Sequence, residues 1–141
     1  MRSLLVLVAI APAGCGGNVA NFIGTWSASD TLTYTCTPLG GMRSETGDST
    51  IKAGIGSDLV VTTACGCNTN WNVNGNTATI VVGQMCVENC NNTTATLSFD
   101  AGSITTSDGK SMTYTDSGHG TIDGASCTFS VVGTATKVSN Q

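Results

Sequence analysis

Apolar and polar residues alternate along most of the chain. In GTWSASDTLTYTC (24–36), the even positions Trp26, Ala28, Leu32, Tyr34 and Cys36 fall on one face. The odd positions Thr25, Ser27, Ser29, Thr31, Thr33 and Thr35 fall on the other. A period of two with Thr on its polar side predicts a half-buried antiparallel strand. Asp30 interrupts the apolar row and is read as a bulge or bend. SDLVVTTAC (57–65) predicts a second strand. NWNV (70–73) and TATIVV (77–82) predict a hairpin about Asn74-Gly75-Asn76, residues that accept positive φ. TATLSFDA (94–101) sets Ala95, Leu97, Phe99 and Ala101 on one face, and SITTSDGKSMTYT (103–115) predicts a hairpin about Asp108-Gly109. SCTFSVVGTATKV (126–138) supplies a last strand with Cys127, Phe129 and Val131 together. A weaker strand is expected over 46–53, and 86–90 reads as a loop. No segment carries a helical period.

Roughly eight to ten short strands, with turn signals every 8–12 residues, make one all-β domain over 22–141. The predicted architecture is a small antiparallel up-and-down β-barrel, with a β-sandwich as the alternative. Gly24-Thr25-Trp26, at the head of the first strand, resembles the Gly-x-Trp of lipocalins and avidins. The resemblance implies a lipocalin-like barrel whose tryptophan packs over the closed end against a basic side chain from the last strands, here Lys137. It also implies a mouth able to hold a small apolar ligand, since an eight-stranded barrel is just wide enough for one. The aromatic residues offered as lining are Trp26, Tyr34, Trp71, Phe99 and Tyr114, with plain core packing as the competing reading.

The N-terminal region has a different pattern. Arg2 precedes an apolar run from Leu4 to Ala11, far shorter than the roughly 20 residues a bilayer span needs and suited to the middle of a signal peptide over 1–14. Ala11-Pro12-Ala13 offers a small-x-small cleavage site before Gly14. Ala13-Gly14-Cys15 resembles the end of a bacterial lipobox, in which the cysteine is lipidated and becomes the first mature residue. The chain holds seven cysteines. Assigning Cys15 to lipid leaves six, an even number able to pair completely in an oxidising compartment. Residues 15–21 are then a lipidated N-terminus and tether. The protein is expected in the bacterial cell envelope, anchored to the outer membrane or cell surface through lipid such as palmitate.

The other six are Cys36, Cys65, Cys67, Cys86, Cys90 and Cys127. Cys65-x-Cys67 and Cys86-x-x-x-Cys90 carry the right atoms for a four-thiolate zinc site, but the spacing is not that of a zinc knuckle, and exported thiols oxidise. Cross-pairs between the two clusters, Cys67–Cys86 with Cys65–Cys90 or the reverse, leave Cys36 for Cys127. Six cysteines allow fifteen pairings in all. Neither a metal nor a cofactor is expected.

Five Lys and Arg stand against nine Asp and Glu, a formal net charge of −4. This balance argues against nucleic acid as a partner, whose phosphates call for a basic surface. His119, the sole histidine, lies in DSGHGTIDG with Asp116 and Asp123 nearby, yet nothing in the sequence supplies a nucleophile in register with it. Asp48, Asp58, Asp100, Asp108 and Asp123, mostly beside glycines, read as turn formers. These observations predict a monomeric envelope module that binds or supports, without enzymatic activity. The alternative is an adhesive or scaffolding sandwich whose Thr- and Asn-rich faces meet polysaccharide or a partner protein.

Overall fold

The computed structural model describes residues 18–37, 40–90 and 92–140. A single helical turn, α1 (Val19–Phe22), precedes nine antiparallel strands. These are β1 (Gly24–Cys36), β2 (Gly40–Ala53), β3 (Leu59–Thr62), β4 (Asn68–Asn74), β5 (Thr77–Ile80), β6 (Met85–Cys90), β7 (Thr93–Thr105), β8 (Ser111–Ile122) and β9 (Ala125–Ser139). Neighbours run β5-β4-β3-β2-β1-β9-β8-β7-β6, and β5 also pairs with β7. That last ladder, Thr77↔Thr105 to Thr79↔Ser103, closes an eight-stranded up-and-down barrel and rules out two separate sheets. The ninth strand, β6, continues the path of β5 along the other half of β7, from Met85↔Ser98 to Cys90↔Thr93.

The wall is incomplete where β6 should meet β4, and covalent and side-chain bonds complete it. The Gln84 amide takes the place of a strand: its Oε1 accepts from Asn70 N at 2.8 Å and its Nε2 donates to Asn70 O at 2.9 Å. Above it, Cys67–Cys86 and Cys65–Cys90 bind the β3–β4 connection to β6. Cys36–Cys127 joins β1 to β9 across a directly paired position. The three bonds are one of the two cross-pairings left open by the cysteine clusters, with Cys36–Cys127 as the remainder.

Alternation puts the expected residues inside. Phe22, Trp26, Ile51 and Leu59 are completely buried, and Trp71, Ile80, Phe99, Ile104, Met112, Phe129 and Ala135 continue the core. Phe22, carried by α1, packs into this core from the end where β1 begins, which is the closed end of the barrel. At three places an aromatic ring lies over a glycine directly across the ladder: Tyr34 over Gly41, Tyr114 over Gly133 and Phe129 over Gly118. A β-carbon on Gly118 would come within 2.8 Å of the Phe129 ring, so large-with-small pairing is how this barrel fills its interior.

Five expectations are corrected. Asp30 makes no bulge: β1 runs in unbroken register with β2 through it, and the irregularity on the β9 side falls at Thr25/Trp26. The strand expected at 46–53 is fourteen residues long, because Gly40 to Thr46 extend against β1 although few of them are apolar. Residues 86–90 are strand, supported by β7 and by two disulfides more than by their own pattern. Ala101 faces outward, because a bulge between Phe99 and Ala101 shifts the alternation and brings Gly102 inward instead. Finally, five of the strands have twelve or more residues, longer than the short strands expected.

Candidate functional site

The residues that stand out in this barrel are polar ones on its inner wall. Asp30 occupies an inward position on β1, between Ala28 and Leu32, and pairs with Glu45 on β2 and Gly133 on β9. Gly133 in turn pairs with Tyr114 on β8. With no side chain at Gly133, the Tyr114 ring passes over β9, and its hydroxyl donates to Asp30 Oδ2 at 2.7 Å. A β-carbon at position 133 would lie 2.6 Å from that hydroxyl oxygen and 2.7 Å from Asp30 Cβ. The glycine is what allows this contact to form.

Asp116 is the next inward residue on β8 and lies over its cross-strand partner Gly102, where Trp71 and Ile80 also pack. Its Oδ1 is buried without a hydrogen-bond partner. Burial, and secondarily the charge of Asp30, pushes its carboxyl up to about 7. Asp30 is raised by burial as well, with the Tyr114 bond opposing and Glu45 reinforcing. Burial raises Tyr114, and its bond to Asp30 does so further. On β6, Glu88 is raised by burial, while Thr63 Oγ1 donates to its Oε1 at 3.0 Å. Arg43, near the same face, pairs with Glu45. In sum, carboxyl groups and a phenol share the inside of the barrel with a core, and Asp116 is a proton-binding group poised near neutrality.

This has a consequence for stability. Below the ordinary aspartate value of 3.8, Asp116 is protonated in both folded and unfolded chains and contributes nothing. As pH rises from there towards about 7, the unfolded chain ionises while the folded one keeps its proton, so stability falls across that window and then levels off. At about 1.36 kcal/mol per pK unit the loss is at most on the order of 4 kcal/mol. Asp30 and Glu88 act in the same direction. Asp116→Asn is expected to match the wild-type denaturation midpoint near pH 4 and to exceed it near pH 8. Equal pH slopes in the two proteins would refute the assignment.

The aromatic residues offered as ligand lining are core. Trp26, Trp71 and Phe99 are 0, 2 and 7% exposed, and Tyr34 and Tyr114 pack against the same cluster. The contact expected between Lys137 and Trp26 is present, with Nζ 4.9 Å from the ring centroid. The same ammonium donates to Asn21 O and Ile23 O at 3.0 and 2.8 Å, so it also fastens the segment leading into β1. Cys15 lies outside the described residues. Among the described residues, one group of metal-ligand type appears, Cys67, Cys86 and Glu88, but the disulfide already takes up its two sulfurs.

His119 finds its acid across the ladder rather than along the chain. Its Nδ1 lies 2.9 Å from Asp100 Oδ2, and both side chains are more than half exposed on the outer wall. Asp100 is the bulged residue of β7 and not a turn former. The turn reading holds for Asp108, which accepts from Lys110 N and Ser111 N, and for Asp123, which accepts from Thr94 N. Asp58 accepts from Val73 N at 2.7 Å, tying the β2–β3 loop to β4. The inner carboxyls had a legible signal that was missed: Asp30 and Asp116 stand at apolar-face positions of alternating strands.

The outer wall is a hydroxyl surface. Along β1 from Thr25 to Thr35, β8 from Ser111 to Thr121 and β9 from Ser126 to Thr136, outward positions carry Ser or Thr, broken only by His119 and Val132. A shallow open trough runs here over Gly133, between Ser29, Thr31, Thr113, Thr115 and Thr134.

No family model matches the chain. No curated protein does either. Among solved structures, the barrel is similar to a protein of unknown function from the DUF3598 family of Nostoc punctiforme PCC 73102, with a TM-score of 0.47 and 11% identity. The match covers 86% of this chain and 49% of that one, so the chain spans about half its length. A likeness of this degree carries no functional argument.

Proposed function

We propose that this protein is an exported envelope module held at a bacterial membrane by lipid on Cys15, and that it acts by binding or support and not by catalysis. The observation that carries this reading is the cysteine pairing. Three disulfides take up Cys36, Cys65, Cys67, Cys86, Cys90 and Cys127, and such bonds persist in oxidising compartments. Cys15 stands outside these pairs, within Ala13-Gly14-Cys15. Two or more acyl chains on it would give stable attachment.

The outer wall favours contact with polysaccharide over a small apolar ligand within the barrel. The interior holds packed aromatics and carboxyls, whereas the β1–β9–β8 face presents rows of uncharged hydroxyls around a trough. Full-length protein expressed in a bacterial host is expected in the membrane fraction, with an intact mass increased by acyl chains on Cys15. Cys15→Ala is expected to lose both the mass and the membrane partition. A wild-type protein that is exported with an unmodified Cys15 overturns the anchor.

A further inference from the structure

We infer that the closed end of the barrel is seated on the lipid bilayer, with the Gly54-Ile55-Gly56 loop inserted at its surface; this rests on the anchor at Cys15. Asn18, three residues after Cys15, donates its N–H to Gly75 O at 3.1 Å, in the β4–β5 turn. Three residues reach at most about 10 Å. A lipid on Cys15 therefore holds that turn, α1 and their neighbours close to the membrane, and directs the opposite end outward.

The β2–β3 loop is at the same end, since strands joined in an up-and-down order return to it at every second connection. Asp58 of that loop accepts from Val73 N near the end of β4, two residues before Gly75, which ties the loop to the strand that leads into that turn. Its Ile55 is completely exposed. An isoleucine between two glycines at a loop tip, with no neighbour to cover it, has the form of an apolar insertion beneath the headgroups.

Charge is arranged accordingly. Lys52, Lys110 and Lys137 lie at this end with Asp48, Asp58 and Asp108, so the end is formally neutral. Six of the nine acids, Asp30, Glu45, Glu88, Asp100, Asp116 and Asp123, lie in the middle of the barrel or towards its other end, where Arg43 is the one described cation. An anionic membrane surface therefore repels the acidic remainder of the barrel and not this neutral end.

The test uses lipidated full-length protein carrying Ile55→Cys, labelled with an environment-sensitive fluorophore and reconstituted on vesicles of phosphatidylethanolamine and phosphatidylglycerol. Acylated Cys15 and the three disulfides leave the thiol at position 55 as the labelling site. Thr121→Cys, exposed near the far end of β8, is the control. Emission from position 55 is expected to shift to shorter wavelength on vesicles and to gain several-fold protection from an aqueous quencher, with position 121 unchanged. If intact mass shows lipid on Cys15 but the two positions respond alike, the seating is wrong while the anchor stands. If Cys15 carries no lipid, both fall.

Discussion

Trp26→Ala is expected to cost about 3–5 kcal/mol, the range for deleting a fully buried aromatic. For a domain of this size that lowers the melting temperature by roughly 10–20 °C. Trp26 is completely buried, its indole N–H donates to Phe22 O at 2.7 Å, and Lys137 lies over its ring. Truncation thus removes three things together: the core volume, the partner of a buried carbonyl, and the platform on which Lys137 holds Asn21 and Ile23. Trp26→Phe keeps much of the volume and loses the donor, so its loss is expected to be clearly smaller. Chemical denaturation followed by far-UV circular dichroism reads both. An unchanged midpoint for Trp26→Ala would show that Trp26 does not close the barrel.

The second large effect is expected from the joint variant Cys36→Ser with Cys127→Ser. The bond spans 91 residues, for which the chain-entropy relation gives about 4.6 kcal/mol. Its removal should leave the native barrel intact, because twelve paired positions already join β1 to β9. The expected outcome is a lowered midpoint with an unaltered strand spectrum. Loss of the folded spectrum in the absence of denaturant would mean the bond is needed to hold the sheet itself. The two bonds to β6 differ in kind. They close shorter loops, with separations of 25 and 19, and they stand where the β4–β6 wall has no ladder, so their role in the native state is larger than their loop length implies.

The all-β class, the inward rows of β1 and β9 and the Asp108-Gly109 turn were legible because each depends on local information, whereas barrel over sandwich, and one cross-pairing of the cysteines over its reverse, were decided by the β5–β7 ladder and the folded chain. Alternation specifies which face is buried once a strand exists. Turn residues carry their own backbone preferences, and paired cysteine clusters limit one another. The upper part of β2 and all of β6 were not legible by the same means. Gly40 to Thr46 and Met85 to Cys90 hold few apolar residues in alternation, and they become strands because β1 and β7 offer them ladders along their whole length.

The candidate site shows the same division. The sequence by itself placed Tyr114 on an inward face and Asp116 at the same parity, while Asp30, in the apolar row of β1, reads there as a bulge or bend. It could not determine that they meet. The Tyr114–Asp30 bond joins residues 84 positions apart and depends on Gly133 between them, while His119 joins an Asp100 placed outward by a bulge. Side-chain periodicity is a property of one strand; register and bulges are properties of pairs of strands. Only the folded barrel, in which the strands are set in register against their neighbours, decides which side chains share a row.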